Sequence, residues 1–370
     1  MSSWAVTRRD ETQEADYGSM HLNETPCLYR LTSGFSGCSA QSIATRWIER
    51  SFELNNLTLM DYQRRIQEIR RSVRQGIDSA ATCTDGIIHA LKQLIHSGWL
   101  NSRWNLISVD CDHFASEPWE KNFACCYRNA QCILSSLFRI PEFRKRLFGS
   151  VSAMPSIWKL QALLESAWSL GFDPLGASQI SSTINPNKIS SGANPTGSDD
   201  MISTDSRNLV GIVDSTACLG ATDMVSLFGS IGIRSSIIEC RAPSGPGGTH
   251  PYLLTHIYSY ITSGNSHGIS NEVDEDDKPL ALIVLDPDVS AEAMRQVIKA
   301  ADYSISSPNI DLSHLSFGSY NWMDVLGSMR VDMAQLVQPQ YQLLQINGLI
   351  ETDLDLQDAM VPENVTVAIS

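Results

Sequence analysis

The chain has 370 residues, 42% of them hydrophobic, enough for one large domain or two ordinary ones with a sizeable core. Its formal charge of −14 sets the surface as a whole against nucleic-acid phosphates, so direct nucleic-acid binding is not expected. No run of about 18 apolar residues occurs, and no membrane-spanning helix is expected.

Residues 1–55 are polar and irregular in pattern, and the opening stretch MSSWAVTRRDETQEADYG lacks the apolar segment of a secretory signal. A helix is predicted over 61–75, where Tyr62, Ile66, Ile69 and Val73 share one face. Arg64, Arg65, Arg70, Arg71 and Arg74 cover much of the remainder. This is either a solvated amphipathic helix or a basic arm for an acidic or polar protein partner. A second helix follows in TDGIIHALKQLIHSG, with Thr84 placed to cap it and Gly98 to end it. His89 and His96 can stack on one face of it, but two histidines alone do not make a metal site.

NLISV (105–109) reads as a strand, and a polar loop, CDHFASEPWEKNFA, leads into a helix beginning near Cys125. Ala130, Ile133, Leu134 and Leu137 form its apolar stripe. SIWKLQALLESAWSLG (156–171) is a further helix, with Ser156 at its start and Gly171 as its stop. Residues 177–206, rich in Ser, Asn, Gly, Thr and Asp, read as a disordered insertion, and 263–278 as a second one. Between them come a short helix in TDMVSLFGSIG, a strand in SSIIEC, a turn in SGPGGTHP and a helix in YLLTHIYSYIT capped by Thr249. LALIVLD (280–286) is a fully apolar strand ending at Asp286, AEAMRQVIKAA (291–301) a helix and QYQLLQI (340–346) a strand. Early helices with late strands predict an α+β architecture.

Nine cysteines with no CxxC pair, and no secretory signal, predict free thiols in a reducing compartment, cytoplasm and/or nucleus. Cys27 and Cys38 have no second Cys/His pair at zinc-finger spacing, so no metal is expected. GPGG (245–248) lacks the Lys-Ser/Thr of a phosphate-binding loop and reads as a turn. The strongest chemical signal is a thiol at the first turn of a helix. The partial positive charge there favours thiolate, and backbone N–H groups can receive an oxyanion. Cys125 and Cys126 both stand near that point; the competing reading is two buried thiols. Asp286, at a strand end before Pro287, either lines a cleft or caps the following turn.

Cys125-Cys126-Tyr127-Arg128-Asn129 resembles the Trp-Gly-Cys-Gly-Tyr-Arg-Asn motif of the papain-like cysteine peptidases specific for ubiquitin-fold modifier and ubiquitin, peptidase family C78. Asp112-His113-Phe114, MPSIWKLQALLESAWSLGFDPLGASQ, LGATDMVSLF, SGPGGTHP, LIVLDPD and QYQLL resemble further segments of the family in the same order. The likeness runs from about residue 58 to residue 350 and is closest to the zinc-finger-containing, ubiquitin-cleaving branch. It implies a papain-like fold over 105–350, a helical arm over 56–104 and a tail over 351–370. It implies no cofactor, and as partners ubiquitin or a ubiquitin-like modifier and its conjugates. Cys125 would be the nucleophile, and Asp286 would orient a histidine. The Cys125 N–H would form half of an oxyanion hole, completed by a polar side chain of the 113–122 loop.

The sequence departs from the family pattern around that site. Phe123, Ala124 and Cys126 stand where the motif has Trp, Gly and Gly, and no tandem zinc-finger pattern occurs. The modifier-specific branch has an Asp-Pro-His box; here it reads Asp286-Pro287-Asp288. The ubiquitin branch takes its histidine from a Gln-His-x-Gly-His strand before that box, and nothing between 263 and 280 matches it. His250 stands at a helix start and His256 within the helix, so the histidine is unassigned, with His267 the candidate nearest in sequence to Asp286. The expectation is a thiol-dependent isopeptidase of polyubiquitin type. The alternatives are a catalytically impaired ubiquitin-binding protein, an incomplete gene model or a protease for ubiquitin-fold modifier.

Overall fold

The structure, a computed structural model, describes residues 4–7, 39–99, 110–149, 151–184, 211–263, 281–306, 316–317 and 320–369. The expected strand at 105–109, the acidic loop of 264–278, His267, Cys27 and Cys38 lie outside the described residues.

Chain order begins with β1 (Trp4–Thr7) and the helix α1 (Ala40–Glu53). α1 corrects the expectation of an irregular segment through residue 55. Its buried stripe is Ala40, Ala44, Ile48 and Ser51, so two small residues and a serine conceal the helical period. Its start is capped by Ser39 and, from far along the chain, by Asp214, which accepts from the Gln41 N–H at 2.7 Å and the Trp158 indole at 2.9 Å. α2 (Leu59–Gln75) has the expected form: Thr58 accepts from the Asp61 N–H, and Gly76 at φ 68° closes it. Ala44 and Ile48 of α1 pack on Ile69 of α2.

β2 (Cys83–Thr84) pairs antiparallel with β3 (His113–Phe114) and precedes α3 (Ile87–His96). Thr84 does not cap α3: its hydroxyl donates to the Ala291 carbonyl at 3.3 Å, and Gly86 at φ 74° turns the chain into the helix. α4 (Cys125–Phe138) is followed by the single turn α5 (Pro141–Phe143), then α6 (Ile157–Ser169), whose Ser156 cap accepts from the Lys159 N–H. α7 (Pro174–Ile184) places 177–184 in a helix instead of the expected insertion, of which the remainder is outside the described residues. α8 (Ala221–Ser230), β4 (Ile233–Cys240) and α9 (Pro251–Ser263) come next. The Thr249 hydroxyl donates back to the Pro246 carbonyl at 2.9 Å, within the GPGG turn, where Gly247 adopts φ 67°.

β5 (Ala281–Ile283) is shorter than the expected strand of 280–286. Just past it the Val284 N–H donates to the Met329 carbonyl at 2.9 Å, and Asp286 Oδ1 then accepts from the Asp288 N–H at 2.9 Å, folding the Asp-Pro-Asp segment into a turn. α10 (Ala291–Ser306), the small hairpin of β6 (Ser316–Phe317) and β7 (Tyr320–Asn321), and α11 (Trp322–Met329) follow. β8 (Arg330–Asp332) returns antiparallel to β5, then come β9 (Tyr341–Leu349), α12 (Asp353–Met360) and β10 (Thr366–Ile369). β10 pairs parallel with β4, so the expected tail supplies an edge strand of the main sheet.

Among the described residues the main sheet runs β1-β9-β4-β10, with β9 antiparallel to both β1 and β4. Strand alternation divides it cleanly. Ile237, Leu344 and Ile346 face a core shared with α4, α6 and α8, while Ile238 and Leu343 face Leu253, Leu254 and Ile257 of α9. A separate cluster joins α3, α10 and α11 through Leu94, Met294, Val297 and Trp322. The architecture is α+β, with the start of α4 at the edge of the largest core.

Candidate active site

The N-terminus of α4 is unusual in what it leaves open. Ala124 occupies the cap position with no side-chain cap, so among the described residues no hydroxyl or carboxylate takes the first-turn N–H groups. Phe123, Ala124, Cys126 and Tyr127 are buried, whereas Cys125 is exposed. The motif's apolar neighbours therefore anchor the turn in the core and leave one thiol facing outward.

Arg128 holds this turn from behind. Its guanidinium is 2% exposed, grips Glu120 through Nε at 3.0 Å and NH2 at 2.7 and 2.8 Å, and reaches Asp78 and Gln131 through NH1 at 2.8 Å. Glu120 in turn receives the Glu117 N–H at 2.9 Å, closing the loop that enters α4. Burial pushes the Glu120 carboxyl up, and the Arg128 charge opposes it. The cluster joins α4, the entry loop and the segment after α2.

The Cys125 thiol is held down at about 7. The neighbouring Cys126 thiol contributes most, followed by the backbone N–H groups of Cys126 and Cys125, while burial and the Asp288 carboxylate work the other way. The Cys126 sulfur also lies 2.8 Å from the Leu219 carbonyl, and one S–H cannot serve both acceptors. The backbone N–H groups stabilise the thiolate wherever that proton points. The remaining described thiols are raised: Cys83 and Cys111 are pushed to about 12 and Cys240 to about 11, chiefly by burial, and Cys126, Cys132 and Cys218 also lie above the ordinary range. Cys125 is thus the one activated thiol among the described cysteines.

The Asp286-Pro287-Asp288 turn is brought up to this thiol by β3 and the residues after it. His113 Nε2–H donates to the Asp286 carbonyl at 2.8 Å, and the Ser116 N–H donates to the Pro287 carbonyl at 2.7 Å. His113 is fully buried, and its Nδ1 has no hydrogen-bond partner among the described residues. Burial lowers its pKa to about 4, so it sits there neutral. Asp286 uses one carboxylate oxygen on the Asp288 N–H, the turn-capping role weighed from the sequence. Asp288 is the member of the turn whose charge bears on Cys125.

The other described histidines are engaged elsewhere. His250 Nε2 meets the Gln338 carbonyl at 2.8 Å and its ring stands edge-on to Tyr341. His256 Nε2 meets Gln345 Oε1 at 3.1 Å, and His89 and His96 bond within α3. Cys125 and the Asp286 turn are therefore assembled without an imidazole directed at the thiol among the described residues. Three participants had no stated role in the sequence reading: His113 as holder of the turn, Arg128 as anchor of the Cys125 loop, and Cys218, whose sulfur lies 2.7 Å from the Asn122 carbonyl. Arg128 and His113 both stand in segments that resemble the family, Cys125-Cys126-Tyr127-Arg128-Asn129 and Asp112-His113-Phe114; Cys218 carries no local signal.

Among the described residues no group of three or more His, Cys, Asp or Glu is placed to hold a metal ion, and no helix is long and apolar enough to cross a membrane. The model of the family described as Peptidase family C78 matches residues 101–321. Curated relatives include zinc finger-containing ubiquitin peptidase 1 of Homo sapiens, Bos taurus and Mus musculus, each 26% identical over 314 residues. Each match covers 79% of this chain and 46% of the relative, so the chain spans about half the length of the curated relatives it matches.

Proposed function

The chain belongs to peptidase family C78, and on that premise we propose that it is a thiol-dependent peptidase directed at ubiquitin or ubiquitin-like conjugates, with Cys125 as nucleophile. One observation carries the reading: an exposed thiol, lowered to about 7, at the uncapped N-terminus of α4. In the papain-like α+β fold this thiolate attacks the carbonyl carbon of an isopeptide bond at a modifier's C-terminus. The oxyanion that forms is received by the Cys125 N–H. The leaving lysine amine then requires a proton.

Among the described residues that proton has no donor. General acid–base catalysis contributes roughly 10²–10⁴-fold, and an imidazole ordinarily supplies it twice, as partner of the thiolate and as acid to the amine. His113 is buried, neutral and committed to the Asp286 carbonyl. The Asp288 carboxylate opposes the Cys125 thiolate where a cationic partner would support it. These two features favour slow turnover, and a modifier-binding protein as the second reading. The α2 arm is the proposed recognition element: Arg64, Arg70, Arg71 and Arg74 lie along it, and Leu59 and Met60 at its start are 58% and 76% exposed. Free thiols throughout the described chain fit cytoplasm or nucleus.

The test is a ubiquitin carrying a thiol-reactive electrophile at its C-terminus, followed by assay on long ubiquitin chains. Cys125 should be labelled, Cys125→Ala should not, and the same protein should cleave chains slowly or not at all. Absence of labelling by this probe and by the corresponding ubiquitin-fold modifier probe would overturn the assignment; labelling by the latter alone would keep Cys125 as nucleophile and make ubiquitin-fold modifier the substrate. Brisk cleavage abolished by Cys125→Ala would overturn the impaired site and give His267 the role of base.

A further inference from the structure

The segment Cys218-Leu219 lies directly against the loop that presents Cys125. Two sulfur contacts bracket it there: Cys218 Sγ sits 2.7 Å from the Asn122 carbonyl, and Cys126 Sγ sits 2.8 Å from the Leu219 carbonyl. Cys125 falls inside that bracket. Asn122 adopts φ 81°, turning the chain so that the residues leading to Cys125 run past the 218–219 segment. Cys125 and Cys218 are both exposed, and both are free. Cys126, adjacent in sequence, is buried, and its sulfur is shared between the Cys125 thiol and the Leu219 carbonyl.

We propose that Cys218 is the resolving partner of Cys125, so that oxidation of the nucleophile by a hydroperoxide ends in a Cys125–Cys218 disulfide. The inference rests on Cys125 being the activated thiol. The Cys125 thiolate attacks one oxygen of hydrogen peroxide, the O–O bond breaks, and with one proton taken up the products are Cys125 sulfenic acid and water. Cys218 sulfur then attacks the sulfenic sulfur, the S–O bond breaks, and the Cys218 proton leaves with the hydroxyl as a second water. In sum two thiols are oxidised by two electrons and one peroxide is reduced to two waters. A small dithiol reverses the reaction by exchange.

The order of events follows from charge. Cys218 is raised by burial and by the negative charge of Cys125, so the Cys125 thiolate keeps its neighbour protonated and reacts first. Conversion of Cys125 to a neutral sulfenic acid removes that charge, and Cys218 becomes easier to ionise at the moment a second thiolate is required. The disulfide stops the oxidation short of the irreversible sulfinic acid. It also ties the nucleophile away from any substrate carbonyl.

The experiment uses the full chain. It is first labelled with limiting iodoacetamide; a second sample is treated with hydrogen peroxide, blocked and digested without reductant. Expected are first labelling at Cys125, then a Cys125–Cys218 linked peptide, with Cys125 labelling restored by dithiothreitol. In Cys218→Ser, which keeps a donor for the Asn122 carbonyl, and in Cys218→Ala, the linked peptide should be lost. Cys125 should then trap dimedone and proceed to sulfinic acid that dithiothreitol does not reverse. Prompt labelling of Cys125 with no linked peptide, or sulfinic acid formed at one rate in parent and variants, overturns the inference alone. Failure of Cys125 to label first overturns the nucleophile reading and this inference with it.

Discussion

The two sides of the site are built to different standards. On the Cys125 side, the first turn of α4 is set in the largest core and locked by a guanidinium sharing two carboxylates and a carboxamide, all buried. On the acid side, the Asp286 turn hangs from the three-residue strand β5, the His113 imidazole and the Ser116 N–H. One oxygen of the Asp286 carboxylate is held by the turn itself. The contrast teaches that holding a thiolate and completing its chemistry are separable. The first needs helix-end N–H groups and a rigid support, which this chain has; the second needs a base, which the described residues do not aim at Cys125.

The largest expected effect breaks the strong side. Arg128→Met keeps the volume but leaves Glu120 and Asp78 buried together without a cation, a loss of about 3–5 kcal/mol for a disrupted buried pair. Thermal unfolding should show a large drop in melting temperature, with slower alkylation of Cys125. An unchanged melting temperature would mean the cluster does not anchor the turn.

The next is a pH effect on the weak side. His113 has a folded pKa of about 4 against 6.5 for the free side chain, so between those values the folded state binds fewer protons than the unfolded state. The His113 contribution to stability should therefore fall as pH drops from 6.5 through 4. His113→Gln keeps an N–H for the Asp286 carbonyl and cannot charge, so its acid slope should be flatter, read as melting temperature against pH. Asp223, which caps α8 through the Gly220 N–H and is raised by burial to about 6 from 3.8, works in the opposite sense. Its contribution falls as pH rises from 3.8 through 6. An unchanged slope in His113→Gln would remove the imidazole from the acid response.

The smallest sharpens the boundary between the two sides. Asp288 opposes the thiolate from an exposed position, so Asp288→Asn should move the alkylation midpoint of Cys125 slightly below that of the parent. The shift should fade at about 1 M salt, where the screening length is about 3 Å. A shift upward, or none at low salt, would place the Asp288 charge away from Cys125.

The sequence by itself determined what depends on neighbours in the chain. Thr58 and Gly76 bound α2, Ser156 and Gly171 bracket α6, and a thiol falls on the first residue of α4. Those are local signals, because a cap bonds the next turn and a periodic stripe repeats within one helix. The family and the α+β class were legible for a similar reason, as short motifs in a fixed order. Only the tertiary structure decided that α1 exists, since its small-residue stripe becomes a buried face once Asp214 caps it and α2 covers it. It alone placed β10 in the sheet, stopped β5 at Ile283 and buried His113 against the Asp286 carbonyl. It alone set Cys218 beside the loop of Cys125. Each of these joins segments far apart in the chain, and what joins them is the packing of faces and the need of buried polar groups for partners, neither of which is written in any local stretch of residues.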